Sequence, residues 1–129
     1  MAMNEMGKHW AVEFHDEFAQ EFLQFSEPVR QKIISLAGVL KLFGPQLAGS
    51  KVKILNGSKH SNMKELRFDA DDGVWRVAFA FDAKRKAILL VGGDKSGVSQ
   101  EKFYRSLIEI ADRRFDQHQS ELAKKRKQE

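Results

Sequence analysis

The apolar residues of the first 45 positions recur with two different periods. Residues 10–14 alternate between large apolar and polar or small side chains, which predicts a short strand at the edge of a sheet. Phenylalanines at helical spacing follow, and Asp16 is positioned to cap that helix. A second helical stripe begins after Ser26 with a proline in its first turn and stops at Gly44-Pro45. The chain is therefore predicted to begin with a strand and a helical hairpin.

The middle of the chain carries short strand signals. Positions 45–62 are rich in turn residues and are predicted to form a long connection, with at most a short extended piece at 52–55. The turns that follow are short enough for an antiparallel meander of three strands, predicted over 63–68, 74–81 and 87–91. The third of these strands is apolar on both faces, so we expect it at the centre of the sheet, ending at Gly92-Gly93.

Together these elements predict a chain of the α/β class in its α+β form. An N-terminal helical hairpin packs on a mainly antiparallel sheet of about four strands, and a long C-terminal helix begins at Ser99. That helix ends in the basic run 124–127, where cations suit the negative end of a helix dipole; a nucleic-acid-binding arm is the alternative. We expect residues 1–129 to form one domain, with a helical basic tail over about 119–129, since ~100 to 200 residues is the usual domain size.

Composition excludes several classes of protein. With 42% hydrophobic and 31% charged residues, the chain has enough apolar material for a core and lacks the bias of a disordered protein. It contains no cysteine, which excludes a disulfide scaffold, a cysteine-ligated metal centre and a thiol nucleophile. The histidines show no metal-ligand spacing, so we expect neither a metal nor a cofactor.

Two further features bear on location. No apolar run approaches the ~20 residues needed to span a bilayer. Residues 1–10 include Asn4, Glu5 and Lys8 where a secretion signal needs a continuous apolar stretch. We therefore expect a cytoplasmic protein with no membrane partner.

The formal net charge of +4 is concentrated in two segments. Residues 51–67 hold five basic side chains against one acidic side chain, and residues 84–105 hold six against two. If the two segments meet in the fold, they form a positive patch that attracts phosphate groups. Surface lysines that cluster by chance are the alternative interpretation.

Aligning the first two strands of the meander brings two arginines together. Every second residue from Trp75 onward is apolar, and matching that face to the apolar face of the preceding strand pairs Phe68 with Trp75. The same register places Arg67 directly opposite Arg76, with a four-residue loop over 70–73. Two guanidinium groups are therefore predicted to lie side by side on one face of the sheet.

Like charges in that position repel each other, so the arginine pair predicts an anion such as a phosphate between them. Glu65, diagonal to Arg76, offers the alternative of a structural salt bridge that neutralises the pair. The turn over 92–97 has backbone N–H groups and Lys95 that suit an anion, although most such turns are only turns. In the basic loop, His60 is placed to exchange protons near neutral pH, and a solvated histidine is the alternative.

Several motifs resemble the RelE/HigB-type toxins of bacterial type II toxin–antitoxin systems, in particular their phage Gp49-like branch. The resemblance covers about residues 10–118 and is carried by Met63-Lys64-Glu65-Leu66-Arg67, Trp75-Arg76-Val77, the segment from Leu89 to Lys95, and Lys102-Phe103-Tyr104. It implies a RelE-like fold and a metal-independent endoribonuclease that cleaves mRNA, commonly on the translating ribosome. It also implies a helix-turn-helix antitoxin that holds the toxin inactive, in a complex that binds operator DNA through the antitoxin.

The resemblance also implies roles for individual residues. Arg76 matches the arginine that holds the scissile phosphate, and Arg67 matches the arginine that ends the Glu-Leu-Arg motif. Lys95 matches a basic residue that neutralises charge in the transition state or donates to the leaving oxygen. Tyr104 matches a tyrosine that stacks on a base or assists proton transfer, with boundary packing as the alternative. Further contacts to the RNA are expected from Lys59, His60 and Lys64.

The chain departs from the better-known RelE toxins where a general base is expected. Met63 and Glu65 stand at positions where those toxins carry lysines, so the base is open among Lys59, His60 and Glu65. Two alternative functions on the same fold also stay open: a ParE-like inhibitor of DNA gyrase, and a non-catalytic phage-derived binding protein. A basic cluster on one sheet face favours the ribonuclease.

Overall fold

A computed structural model describes residues 9–128 as a five-stranded sheet with helices on both faces. In chain order the elements are β1 (Val12–Phe14), α1 (Asp16–Phe22), α2 (Glu27–Phe43), β2 (Val52–Ile54), β3 (Lys64–Ala70), β4 (Gly73–Phe81), β5 (Ala87–Asp94) and α3 (Gln100–Gln128), with a short 3-10 turn at Gly44–Gln46. No helix in this part of the chain is long and apolar enough to cross a membrane. Residues 1–8, which carry most of the argument about a secretion signal, lie outside the described residues, as does Glu129.

The strands lie in the order β1-β5-β4-β3-β2, with β1 parallel to β5 and the other neighbours antiparallel. This order confirms the predicted α+β class, with its helical hairpin, its meander and its long C-terminal helix. The sheet has five strands rather than about four, because the short extended piece of the long connection pairs with β3 as Val52 opposite Leu66.

The alternation of side chains along the sheet separates two apolar cores. On one face, the apolar side of β3 and β4 packs against α1 and α2 around Phe18 and Ile33. On the other face, α3 packs through Phe115 on a surface that includes the small side chains of Ala78 and Ala80. The central apolar side chains of both cores are almost completely buried, and this burial is the main force that holds the helices on the sheet.

The start of α1 differs from its prediction. His15 rather than Asp16 is the N-cap, because its Nδ1 atom accepts a hydrogen bond from the backbone N–H of Glu17 at 3.1 Å. Asp16 is the first residue of the helix, where a carboxylate suits the positive end of the helix dipole.

The loop between β3 and β4 is shorter than predicted. Ala70 pairs with Gly73, so only Asp71 and Asp72 lie between the strands, instead of four residues. Both aspartates have positive φ angles, as a two-residue type I′ hairpin turn requires.

β5 continues through Gly92 and Gly93 to Asp94, whereas the sequence predicted that the glycines end it. A Cβ atom at Gly92 would lie 3.2 Å from Val77 Cγ2, and one at Gly93 would lie 3.2 Å from Phe103 Cε1. The glycines therefore let neighbouring side chains lie close against the strand, and they do not break it.

Two polar side chains help to hold α3 in place. The buried Arg114 donates from Nη1 to the backbone oxygen of Leu90 and to Glu21 Oε1 of α1, both at 2.8 Å. His118 lies 2.8 Å from the buried carboxylate of Asp82, just after β4. The helix is thereby tied both to α1 and to the turn between β4 and β5.

Candidate active site

The predicted arginine pair is confirmed by the strand register. Phe68 pairs with Trp75, and Arg67 pairs with Arg76, across β3 and β4. Arg76 is buried, with 6% of its surface exposed, whereas Arg67 is half-buried. No hydrogen bond or ion pair to the Arg67 guanidinium is found among residues 9–128. One arginine is thus fixed in the sheet and the other is open to a ligand.

Tyr104 and Glu65 hold Arg76 in position. Arg76 Nε donates to the Tyr104 hydroxyl at 3.1 Å, and that hydroxyl donates to Glu65 Oε1 at 2.9 Å. Arg76 Nη1 donates to the backbone oxygen of Trp75 at 2.9 Å. Glu65 Oε1 lies 3.8 Å from Arg76 Nε. The salt bridge that the sequence offered as an alternative is therefore also present, and it offsets part of the charge of Arg76. Within the described residues, Arg76 Nη2 has no hydrogen-bond partner, which leaves it for a ligand.

The same contacts decide the protonation state of Tyr104. Burial raises the pKa of the phenol, and its hydrogen bond to Glu65 raises it further. Arg76 acts in the opposite direction but does not outweigh these two effects. Tyr104 is therefore protonated at neutral pH, which makes it a hydrogen-bond donor and not a base.

Two open hollows lie beside the arginines. The central hollow, about 810 Å³ in volume, is lined by residues that include Lys53, Glu65, Arg67, Lys95 and Tyr104. The edge hollow, about 330 Å³, is lined by residues that include Lys51, Lys53, Arg67 and Arg76. Because Lys53 and Arg67 line both, the two hollows adjoin at these residues, and Arg76 lines the edge hollow beside them.

A turn fixed by Asp94 brings Lys95 to the central hollow. Asp94 Oδ1 accepts hydrogen bonds from the backbone N–H groups of Val74 and Ser96, at 3.0 and 2.9 Å. The Ser96 side chain is the main cause that lowers the pKa of Asp94, so this carboxylate is ionised. Lys95 Nζ lies 5.9 Å from the centre of the Tyr104 ring, within the range of a cation–π contact.

Lys53 belongs to this site although no sequence motif indicated it. It lies opposite Glu65 in the register of β2 and β3, and its side chain lines both hollows. The sequence pattern that could have indicated Lys53 is the alternation of Lys51, the buried Val52 and Lys53 in a short extended segment. The segment of three residues was too short to count as a strand on its pattern alone.

The structure places the other predicted RNA contacts away from the arginine pair. Lys59 Nζ pairs with Asp116 of α3, and His60 Nε2 hydrogen-bonds to the same carboxylate at 2.8 Å. The hydrogen bond from Lys59 lowers the pKa of Asp116, so this contact is charged. Lys64 Nζ donates to the backbone oxygen of Pro45 at 3.3 Å, on the hairpin side of the sheet. None of the three predicted residues lines either hollow as the structure describes it.

The two basic segments of the sequence meet only in part. Lys51, Lys53 and Arg67 of the first segment and Lys95 of the second surround the central and edge hollows. The cations over 84–86 lie at the opposite end of β5, beside a separate surface hollow. The positive patch at the arginine pair is therefore smaller than the whole basic charge of the two segments.

A known protein family matches the chain over the residues that form the hollows. A family model described as phage-derived protein Gp49-like (DUF891) matches residues 20–116. Two proteins of Mycobacterium tuberculosis (strain ATCC 25618 / H37Rv) that carry the toxin names HigB3 and HigB2 are similar in sequence. The first is 39% identical over 95 residues, which cover 74% of this chain and 81% of the relative. The second is 41% identical over 81 residues, which cover 62% of this chain but only 40% of the relative.

A solved structure resembles the fold. A mutant of the E. coli toxin RelE in the free state superposes with a TM-score of 0.54, covering 78% of this chain and 94% of the other. The two sequences are 12% identical, so this likeness concerns the fold alone. This chain therefore shares the RelE fold over the part that superposes.

Proposed function

The chain belongs to the phage-derived Gp49-like family of RelE/HigB-type toxins, and on that premise we propose that it is a metal-independent endoribonuclease that cleaves mRNA. The observation that carries the proposal is the pair formed by Arg67 and Arg76 across two strands, beside hollows that also hold Lys53 and Lys95. Like charges directly opposite each other across two strands repel each other, Glu65 offsets only part of that charge, and the phosphate of RNA supplies a further negative group.

The proposed reaction needs only groups of the RNA and side chains of the protein. The 2′-hydroxyl oxygen of one nucleotide attacks the adjacent phosphorus, and the bond to the 5′-oxygen of the next nucleotide breaks. The 2′-hydroxyl proton goes to a base, and the leaving 5′-oxygen takes a proton from an acid. A 2′,3′-cyclic phosphate and a 5′-hydroxyl result. Arg67 and Arg76 stabilise the additional negative charge on the phosphate in the transition state.

Glu65 is the base that the geometry supports best. It lines the central hollow, and its Oε2 atom has no hydrogen-bond partner among the described residues, while Oε1 accepts from Tyr104. Lys59 and His60 are both bound to Asp116 and lie outside the central and edge hollows. Of the three residues that the sequence left open as the general base, we therefore assign this role to Glu65.

The other side chains that line the central hollow have separate roles in the proposed reaction. Lys95 lies at the wall of the central hollow and supplies the proton for the 5′-oxygen. Lys53, which also lines that hollow, adds positive charge close to Glu65. Tyr104 positions Glu65 and Arg76 through its hydroxyl and presents its ring to the hollow.

The partners follow from the family. We infer that a helix-turn-helix antitoxin holds the protein inactive and that the toxin–antitoxin complex binds operator DNA through the antitoxin. Cleavage of mRNA takes place on the ribosome, in the cytoplasm.

The proposal is tested by producing the protein without its antitoxin. We expect growth to arrest and mRNA to be cut. Arg76→Ala should abolish both effects, because loss of one donor that stabilises transition-state charge typically costs about 10² to 10³ in rate. Arg113→Ala is the matched control, since it removes an exposed arginine of α3 that lines neither hollow.

The readouts separate the alternatives. Arrested growth with intact mRNA and stalled DNA supercoiling would overturn the ribonuclease in favour of a gyrase inhibitor. Normal growth and intact mRNA, with the protein folded and bound by its antitoxin, would identify a non-catalytic binding protein. Equal loss of activity in Arg76→Ala and Arg113→Ala would remove the special role of the arginine pair.

A further inference from the structure

A continuous groove leads from the arginine pair towards α2. The edge hollow shares Lys53 and Arg67 with the central hollow. A third hollow, about 410 Å³ in volume, shares Lys51 and Phe68 with the edge hollow and extends to Lys32 of α2. The edge hollow and this third hollow together form what we call the outer groove, which opens directly into the central hollow.

The short length of β2 creates the outer groove. β2 pairs only with residues 64–66 of β3, and the last contact is the hydrogen bond from the Arg67 N–H to the backbone oxygen of Lys51 at 2.9 Å. In the described chain no strand pairs with β3 beyond that point on this side, so residues 68–70 form an open edge. The groove crosses the sheet at this edge.

Basic side chains line the groove along its whole length. Arg67 and Lys53 lie at its inner end, Lys51 in the middle and Lys32 at its outer end. The three lysines are exposed, and none of them forms an ion pair with a carboxylate of residues 9–128. Asp69 is the single acidic residue among those that line the outer groove.

We propose that the outer groove binds the backbone of single-stranded RNA on one side of the reacting phosphate. The strand runs from the Arg67–Arg76 pair past Lys51 to Lys32, and the inference rests on the proposed ribonuclease function. Lysines bind phosphates as point charges and read no base, and Phe68 is too deeply buried to stack on one. The groove therefore adds affinity without adding sequence preference.

The continuity with the central hollow favours RNA over an acidic segment of a protein. A strand whose phosphate lies between Arg67 and Arg76 must leave the site in some direction, and the outer groove is an open, positively lined exit. Asp69 repels any anion in the outer groove, so its removal should have the opposite effect on RNA affinity to the removal of a lysine. Removing a lysine should weaken binding, and removing Asp69 should strengthen it.

The test measures the affinity of the full chain for RNA methylated at every 2′-oxygen, which cannot undergo the proposed cleavage. Fluorescence anisotropy compares a short oligonucleotide with longer ones extended on the 5′ side or on the 3′ side. We expect extension on one side to raise affinity and to steepen the salt dependence by about 0.7 in log-log slope per phosphate contacted. In Lys32→Gln/Lys51→Gln we expect this gain to vanish and the slope for long RNA to fall by about 1.4, the loss of two contacts.

Two further variants complete the design. Asp69→Asn should bind the long RNA more tightly than the wild type while its affinity for the short RNA changes less. Lys124→Gln/Lys125→Gln is the matched control, because it removes the same charge from the exposed end of α3, outside the groove. In this control, the affinity should rise from short to long RNA as much as it does in the wild type.

The outcomes distinguish failure of the RNA groove from failure of the proposed ribonuclease function. Equal affinity for short and long RNA, or a gain that survives in Lys32→Gln/Lys51→Gln, overturns the RNA groove and leaves the proposed function standing if the short RNA binds. A surviving gain combined with weaker antitoxin binding in that variant assigns the groove to a protein partner instead. Failure of the wild type to bind any RNA, with mRNA intact in cells, overturns the proposed function and the groove with it.

Discussion

At the scale of single residues, the Tyr104 hydroxyl connects two charged side chains that are almost fully buried. It donates to Glu65 and accepts from Arg76. Tyr104→Phe leaves both partners without this bond, so we expect the free energy of unfolding to fall by about 1 to 3 kcal/mol, measured by urea denaturation. RNA cleavage should fall as well, because Glu65 and Arg76 lose their common support.

A double-mutant cycle provides the control for this prediction. When Glu65→Gln is already present, the further cost of Tyr104→Phe should be smaller by at least about 0.5 kcal/mol, as expected for residues in one hydrogen-bonded network. Additive costs would show that the phenol stabilises the protein through its packing and not through this network.

The buried carboxylate of Asp82 gives the protein a pH-dependent stability. Burial alone would raise the pKa of Asp82, but hydrogen bonds from His118 and from the backbone N–H groups of Lys86 and Lys84 together lower it below its ordinary value. A carboxyl group whose pKa is lower in the folded state stabilises the protein above its unfolded pKa of about 3.9, and the stabilisation is lost as pH falls through the folded pKa.

Asp82→Asn tests this pH dependence by removing the titrating group while keeping the side-chain shape. We expect the variant to be less stable than the wild type at pH 6 and the difference to shrink as pH falls below about 4. Urea denaturation at several pH values measures the two curves. A stability difference that is constant with pH would contradict the assignment.

At the scale of elements, the end of α2 depends on a glycine. Gly44 has a φ angle of +59°, and a Cβ atom there would lie 2.3 Å from the ring of Trp10. Gly44→Ala should therefore destabilise the protein by at least about 1 kcal/mol, the cost of a strained backbone before any clash is added. Thermal unfolding measures the change.

Gly38 is the matched control within the same helix. It is exposed in α2, and a Cβ atom there would meet nothing within 4 Å. Gly38→Ala should stabilise the protein by about 0.5 to 1 kcal/mol, because alanine loses less conformational freedom in a helix. Effects of the same sign at both positions would refute the role assigned to the Trp10 contact.

The sequence predicted those elements whose pattern reflects burial on a definite face. The register of β3 and β4 followed from the parity of their apolar residues, which is why Arg67 opposite Arg76 could be placed before the structure. β2 was predicted only as a short extended piece over 52–55, because three residues carry too little pattern to count as a strand. The predicted end of β5 was wrong because glycines are usually turn residues. Here Gly92 and Gly93 lie within the strand, where neighbouring side chains leave little room for a Cβ atom.

At the scale of the whole molecule, Arg114 joins the two faces of the sheet. Its guanidinium on α3 contacts Glu21 of α1 and the backbone oxygen of Leu90. Arg114→Met should lower the free energy of unfolding by about 1.5 to 3 kcal/mol, the range for hydrogen bonds to charged groups. Arg113→Met, at an exposed neighbouring position, should change it by less than about 0.5 kcal/mol in the same urea titration. Similar effects at both positions would contradict the proposed anchoring.

The candidate site could be predicted only as far as it lies within the sheet. Tyr104 comes from α3, and nothing in the local sequence indicates that its hydroxyl lies between Glu65 and Arg76. For the same reason, Lys59 and His60 were expected near the arginines, although Asp116 of the same helix holds them elsewhere. The packing of a helix on a sheet is a property of the whole chain, so these contacts required the structure.

Tyr104 is the only tyrosine in the chain. When the protein is produced with isotope-labelled tyrosine, the labelled signals in its NMR spectrum therefore all come from one phenol ring, which lies at the wall of the central hollow. The natural sequence thus carries a spectroscopic reporter at the proposed reaction centre. Occupancy by RNA, antitoxin or a small inhibitor can be followed there without attaching a dye or altering a side chain.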